Sequence, residues 1–166
     1  MLRFEKVKKE AYVEAVYNLE DDSIGAFEYR ADCYDDIKLP VRATEGSAGY
    51  DFFAPYDLHC FKDTWYTIPL GIKFITDRKD IVLLCLPRSG LGFKYNFILS
   101  NTCGVIDSDY QYAKNDGHIM VKFKVSQDLD IKKGQAILQG LFTTYLTVDD
   151  DKVEEKRVGG FGSTSS

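Results

Sequence analysis

The apolar residues of this chain come in short runs. Stretches such as Ile72–Ile75, Ile81–Leu86 and His118–Val125 are rich in β-branched and aromatic side chains, and Gly, Pro, Asn and Asp separate them. Runs of this length suit strands better than helices, and the punctuation supplies the turns. Eleven Tyr and eleven Phe provide bulky side chains for a β core. The expectation is an all-β domain, closed or sandwich-like, with strands near Gly49–Phe53, Tyr66–Ile68, Ile72–Ile75, Ile81–Leu86, Ile98–Asn101, His118–Val125 and Ala136–Tyr145. Lys122 and Lys124 alternate with Val121, Phe123 and Val125, which gives that strand one wet face. Residues 5–20 have the pattern of a short helix. The acidic stretch 21–36 suggests a loop or an irregular edge.

At 166 residues the chain has the size of one domain with a sizeable core. Twenty-one Lys and Arg against 26 Asp and Glu leave a net charge of -5. That field repels polyanions, so direct nucleic-acid binding is not expected and any phosphate site must be built locally. Cys33, Cys60, Cys85 and Cys103 form no C-x-x-C pair, and only His59 and His118 could join them on zinc. They suit reduced, mostly buried side chains of a cytoplasmic protein. The first residues lack the apolar core of a signal peptide and no run reaches membrane-spanning length, so no membrane association is expected.

Several segments carry chemistry. Pro87-Arg-Ser-Gly-Leu-Gly92 follows a strongly apolar run, which sets an Arg, a hydroxyl and two glycines at the end of a buried strand. Such a group can hold phosphate through Arg88, Ser89 and backbone N–H groups; the same residues also make an ordinary tight turn with a surface Arg. Asn101-Thr-Cys-Gly-Val-Ile-Asp-Ser-Asp-Tyr110 places two carboxylates after a Gly that allows a bend, so one of them is a candidate base, a solvated turn being the plainer reading. Asn115-Asp-Gly117 is a strong turn signal, and it predicts that this region folds back as a hairpin into His118–Val125. A hairpin can offer its own N–H and C=O groups to the edge of a base and reject a ring with the wrong donor order. Asp51 lies among aromatic residues in Ala48–Ala54, and Gln139 follows the strand start at Gly134. The end of the sequence, Arg157-Val-Gly-Gly-Phe-Gly-Ser-Thr-Ser-Ser166, has the composition of a mobile segment that can order on an anion and a flat ring.

In order and spacing, Ala48-Gly-Tyr-Asp51, Pro87-Arg-Ser-Gly-Leu91, Gly104-Val-Ile-Asp-Ser-Asp-Tyr110, Gly134 to Gln139 and Gly159-Gly-Phe-Gly-Ser-Thr164 resemble the five motifs of the trimeric dUTPases, in the Gram-positive bacterial and phage-like subgroup. The resemblance covers residues 38–166. It implies a jelly-roll-like barrel over residues 38–150, a weakly assigned N-terminal segment 1–37, and a mobile C-terminal arm 151–166. It implies a homotrimer with active sites between subunits. The implied reaction is hydrolysis of dUTP to dUMP and pyrophosphate by water attack at the α-phosphorus, which limits uracil in DNA and supplies dUMP for dTMP synthesis. Mg2+ would be held mainly by the substrate phosphates, with Asp51 a possible water-mediated contact. By motif position, Asp107 is the implied general base and Tyr110 lies under the deoxyribose. Asn101, Gly104, Val105, Ile106 and Met120 read uracil, and Arg88, Ser89, Gly90 and Gln139 hold phosphate. Arg157 meets the γ-phosphate, Phe161 covers the base, and Gly162 and Ser163 complete the arm's contacts.

Two departures stand out. Residues 112–116 are extra after the third motif, read as an extension of the hairpin tip, and Ala136 replaces a commonly basic residue in the fourth. Two other functions fit the same fold. A dCTP deaminase relative would carry a catalytic Glu on the strand after the hairpin, where His118-Ile-Met-Val-Lys-Phe-Lys124 has no acid. A dUTP-gated regulatory protein would instead bind a phage-type repressor, using the extra loop or the acidic segment 21–36.

Overall fold

A computed structural model describes residues 1–19, 26–155, 157 and 159. The chain begins with strand β1 (Leu2–Lys6) and helices α1 (Lys9–Tyr17) and α2 (Ala26–Asp32), the latter running into a 3-10 turn at Cys33–Asp36. Then follow β2 (Val41–Arg42), β3 (Tyr50–Phe53), β4 (Leu58–Cys60), β5 (Tyr66–Pro69), β6 (Ile72–Thr76) and β7 (Ile81–Pro87). Helix α3 (Ser89–Tyr95) leads to β8 (Ile98–Leu99) and β9 (Gly104–Asp107), and a 3-10 turn at Ser108–Tyr112 precedes β10 (Met120–Lys124), β11 (Leu129–Ile131) and β12 (Ala136–Thr144).

The strands pair antiparallel in four sheets. The largest has the order β2-β3-β12-β7-β9; the others are β5-β10-β8, β1-β6 and β11-β4. Strand β12 lies between β3 and β7, so residues far apart in sequence share one row: Asp51, Gln139 and Leu86 are opposite one another. The close approach has a requirement at Gly140. A Cβ there would lie 2.6 Å from the Phe52 ring and 2.9 Å from Leu83, so the ring occupies the space a side chain would need. On β10 the expected alternation holds, with Val121 and Phe123 buried and Lys122 exposed.

Aromatic residues do much of the core packing, as the composition suggests. Phe97 stacks on Phe123 with ring centroids 4.2 Å apart. Phe4 on β1 packs edge-on against Tyr50 and Phe52, and its ring also meets Phe142, at 5.3 to 5.5 Å. One N-terminal side chain thus joins β1 to two strands of the large sheet, an arrangement that aromatic pairs favour beyond simple burial. Val7, Tyr12, Val16, Cys33 and Ile37 belong to the same buried cluster, so the N-terminal strand and helices share the core. Cys33, Cys60 and Cys85 are buried, Cys103 is partly so, and all four are free thiols. No helix among the described residues is long and apolar enough to cross a membrane.

Three local expectations need correction. The first residues form strand β1, and the helix in 5–20 is confined to Lys9–Tyr17. Within 21–36, residues 26–36 are helical; the high acid content hid the apolar contacts of Phe27 and Cys33 with the core. The third concerns the hairpin. Its turn is present, with Asp116 at φ 62° and Gly117 at φ 69°, but the limbs do not pair with each other. Strand β9 pairs with β7 and β10 with β5 and β8, because turn chemistry is local and partner choice is tertiary.

His118 is buried behind this turn. Its Nε2 accepts the Gly71 N–H at 2.8 Å, and the ring lies 6.1 Å from Tyr12. Burial pushes its pKa from the ordinary 6.5 down to about 4, against a hydrogen bond to the Ala11 backbone and the charge of Asp116. Between pH 6.5 and 4 the unfolded chain therefore binds a proton that the folded chain refuses. Stability is full above 6.5 and is lost as pH falls through that window, by up to about 3 kcal/mol from this residue. Urea unfolding across pH 4–7 should show this slope, and His118→Gln should flatten it by that amount. Equal slopes for the two proteins would contradict the assignment.

Candidate active site

One group of polar residues forms at the end of β7 where α3 begins. Asp51 and Gln139 are cross-strand neighbours, and neighbours on one face of a pleated pair interact directly. Arg88 follows β7, and its Nε lies 3.4 Å from an Asp51 carboxylate oxygen. The Gln139 amide donates to the Pro87 carbonyl at 3.4 Å. Arg88, Ser89 and Gly90 are exposed, and α3 starts at Ser89, with the Leu91 and Gly92 N–H groups taken by the Arg88 carbonyl. The result is a half-exposed guanidinium and a neighbouring hydroxyl at a strand end, groups suited to phosphate oxygens.

A second group lies on β9 and β10. A narrow cleft is lined by Cys85, Asn101, Gly104, Ile106, Met120 and Leu138. Its free volume of about 20 Å³ is of the order one water molecule needs, so a flat ring would have to part the two limbs on entry. The Ser100 N–H bonds the Lys122 carbonyl at 2.9 Å, which ties the end of β8 to β10 on one side of the cleft. Gly104 sits against Cys85, where a Cβ would be 3.1 Å from the Cys85 Cβ. Val105 turns outward, 56% exposed, so only its main chain can serve the cleft.

The third group follows directly. Asp107 closes β9, and Asp109 and Tyr110 lie on the 3-10 turn after it. Both carboxylates are half-exposed beside a groove of about 1000 Å³ that also involves Arg78, Tyr112, Glu154 and Arg157. Arg157 spans the pair: its Nε donates to Asp109 at 2.7 Å and a terminal nitrogen donates to Asp107. Its guanidinium lies 5.7 Å from the Tyr110 ring centre. Burial opposes the charge on Arg157, but the hydrogen bond to Asp109 and the two nearby acids outweigh it and hold its pKa above the ordinary value. Tyr110 is itself buried, its hydroxyl donating to the His118 carbonyl at 3.2 Å.

The sequence-derived residues thus fall into three places. Asp51, Arg88, Ser89, Gly90 and Gln139 meet at one end of β7. Asn101, Gly104, Ile106 and Met120 line the cleft, and Asp107, Tyr110 and Arg157 lie beyond it. Asp107 is paired with Val82, six residues before Arg88. At about 3.3 Å per residue the two are about 20 Å apart along the strand. Phe161, Gly162 and Ser163 lie outside the described residues. Three contributors were not anticipated. Gln111 bonds both backbone groups of Thr76, at 2.9 and 3.4 Å, and the Ser108 carbonyl at 2.8 Å, which clamps the turn carrying Asp109 to β6. Asn115 donates to the Tyr110 hydroxyl at 2.8 Å, and Asp116 pairs with Lys73 at 2.9 Å. In sequence the last two are visible only as turn formers. Their use in side-chain bonding corrects the view of 112–116 as a mere extended tip.

The donor set sets terms for a metal. Among the described residues no group of three His, Cys, Asp or Glu gathers as a ligand cluster. Asp51 faces Arg88, and Asp107 and Asp109 face Arg157. Such a surface fits Mg2+ that arrives on phosphate oxygens and keeps its own waters, as this ion commonly does.

Comparison with known proteins identifies the fold and family. Residues 35–165 match the sequence model of the dUTPase family. The deoxyuridine 5'-triphosphate nucleotidohydrolase of Lactococcus lactis is 36% identical over 135 residues, covering 78% of this chain and 89% of the relative. That of Serratia proteamaculans is 35% identical, covering 76% and 86%. The Streptococcus mutans dUTPase crystal structure superposes with a TM-score of 0.64 at 25% identity, over 89% of this chain and 98% of that one. A Staphylococcus bacteriophage 80alpha dUTPase reaches 0.63 at 17% identity, over 93% and 97%, a likeness of fold alone. With five ordered motifs, an antiparallel jelly-roll-like architecture and these relatives in agreement, the chain belongs to the dUTPase family.

Proposed function

We propose that this dUTPase converts dUTP to dUMP and pyrophosphate in sites shared between the subunits of a cytoplasmic homotrimer. The observation that carries this reading is the separation along β7. The phosphate-binding group and the carboxylate are about 20 Å apart on a rigid strand, whereas water attack at the α-phosphorus needs both within one nucleotide's reach. Rotational symmetry solves the problem, because the Arg88 end of one copy can face the Asp107 end of another.

In such a site the chemistry is mainly placement and charge neutralisation, as phosphoryl transfer allows. Uracil enters the cleft between Asn101, Gly104, Ile106 and Met120, with main-chain groups at Val105 completing its edge. Tyr110 supports the deoxyribose. Arg88, Ser89, Gly90 and Gln139 take the phosphate oxygens. Mg2+ bound to the triphosphate would supply further neutralising positive charge there. Asp107 accepts the proton of the attacking water as its oxygen bonds the α-phosphorus and pyrophosphate leaves.

Arg157 has two partners to choose between. In the structure it holds Asp107 and Asp109, the first of which is the proposed acceptor of the water's proton. A triphosphate offers a denser negative charge, so Arg157 moves to the γ-phosphate, freeing Asp107 and bringing Phe161, Gly162 and Ser163 over the base. The closed arm excludes bulk water and strengthens every charge interaction beneath it. Strand β10 has no acidic side chain, so the ammonia-releasing alternative lacks its acid, and the named relatives are nucleotidohydrolases.

Asp107→Asn keeps the shape of the site and removes the proton acceptor. Nucleotide binding should persist while kcat falls by about 10² to 10⁴, measured as pyrophosphate release with dUTP and Mg2+. A variant with undiminished kcat would refute Asp107 as the base. In the wild type, a panel of dUTP, dTTP, dCTP and UTP should give pyrophosphate from dUTP far ahead of the rest and no ammonia; ammonia from dCTP would overturn the assignment.

A further inference from the structure

Residues 112–116, which the family's third motif lacks, form a brace. Ala113 is buried in the core. Asp116 accepts the Lys8 backbone N–H on one carboxylate oxygen at 2.7 Å and the Lys73 ammonium on the other at 2.9 Å. The segment is thereby fixed both to the residues just after β1 and to β6. The Asp116–Lys73 pair is mostly buried, with side chains 18% and 13% exposed, so it is less screened than a surface pair. Between these anchors the Asn115 amide donates to the Tyr110 hydroxyl at 2.8 Å and to the His118 carbonyl at 3.2 Å. Tyr110 donates to that same carbonyl. Amide, phenol and carbonyl close a triangle. An Asn amide is suited to this, because its two N–H donors lie in one fixed plane.

We propose that Asn115 is a positioning residue for sugar selection, holding the Tyr110 hydroxyl so that its ring cannot yield to a ribose 2′-hydroxyl. This rests on the reading of Tyr110 as the support beneath the deoxyribose. Steric rejection of one extra oxygen requires a wall that stays in place. A Tyr ring pinned only by packing can tilt by the few tenths of an ångström that a hydroxyl demands, whereas a ring tied through its far end to a braced segment cannot. The brace acts on the sugar alone, since the uracil cleft is built from other residues.

The test compares dUTP, UTP and dCTP turnover in wild type, Asn115→Ala, Asn115→Leu, Tyr110→Phe and the Asn115→Ala/Tyr110→Phe double variant. Asn115→Leu keeps about the side chain's size and removes both donors without offering the Tyr110 hydroxyl a new acceptor, so it serves if the Ala variant folds poorly. The ratio of kcat/KM for dUTP over UTP should fall about tenfold in each single variant, mainly through a lower KM for UTP, the scale expected for one lost hydrogen bond. The dUTP over dCTP ratio should hold, and the double variant should lose no more than Tyr110→Phe alone, since that change already removes the Asn115–Tyr110 contact along with the hydroxyl's bond to the His118 carbonyl. An unchanged dUTP over UTP ratio in the Asn115 variants, a parallel fall in dCTP rejection, or additive losses would overturn the proposal. Tyr110→Ala separates the two levels. If it too leaves the sugar ratio unchanged, the placement of Tyr110 under the sugar is what fails; if it relaxes the ratio while the Asn115 variants do not, only the brace fails.

Discussion

Strand β7 is the constraint on which the rest of this structure depends. It is hydrogen-bonded along one side to β12 and along the other to β9, with Leu83 and Cys85 buried in the core. A strand held this way resists slipping, since a shift of one residue would break the hydrogen-bond register with both neighbours at once. Its two ends therefore stay apart, one beside Arg88 and the other beside Asp107. The same register that stabilises the sheet keeps Arg88 and Asp107 of one chain at opposite ends of β7, and the proposal of shared sites rests on that separation.

The placement of β12 does the opposite for the phosphate group. Lying between β3 and β7, it sets Gln139 beside Asp51 on one side and Leu86 on the other. The Asp51–Arg88 contact then follows from sheet order. The N-terminal residues take part as well: Phe4 packs into the large sheet, and the backbone N–H of Lys8 reaches Asp116. The chain's first strand and its extra turn thus support each other beneath Tyr110, linking fold stability to the geometry of the site.

Sequence made the chemistry legible before the geometry. Arg88, Asp107, Gln139 and Tyr110 stand out because glycines, hydroxyls and carboxylates recur at family spacing, and the strands carrying them show period-two or fully apolar patterns. Partner choice was not legible. Asn115-Asp-Gly117 signals a turn, and a turn is there, yet β9 pairs with β7 because Ile106 gains burial in the large sheet, a tertiary fact. Short strands such as β4 and β11, three residues each, are too brief for periodicity to register. Helix α2 was masked by its acids, whose charges face outward while Phe27 and Ala31 turn to the core. The side-chain uses of Gln111 and Asn115 depend on what lies opposite after folding, and no local pattern encodes that.

The central claim, that one site draws its cation and its carboxylate from different copies, has a direct measurement. Arg88→Ala and Asp107→Asn are prepared separately, each expected to be nearly inactive, then unfolded, mixed in equal amounts and refolded together. If the two groups come from different subunits, random assembly leaves about one quarter of the sites with both intact, and the mixture should recover about that share of wild-type pyrophosphate release. A mixture no more active than its separate components would show that Arg88 and Asp107 serve the same site from one chain, and the account would be wrong.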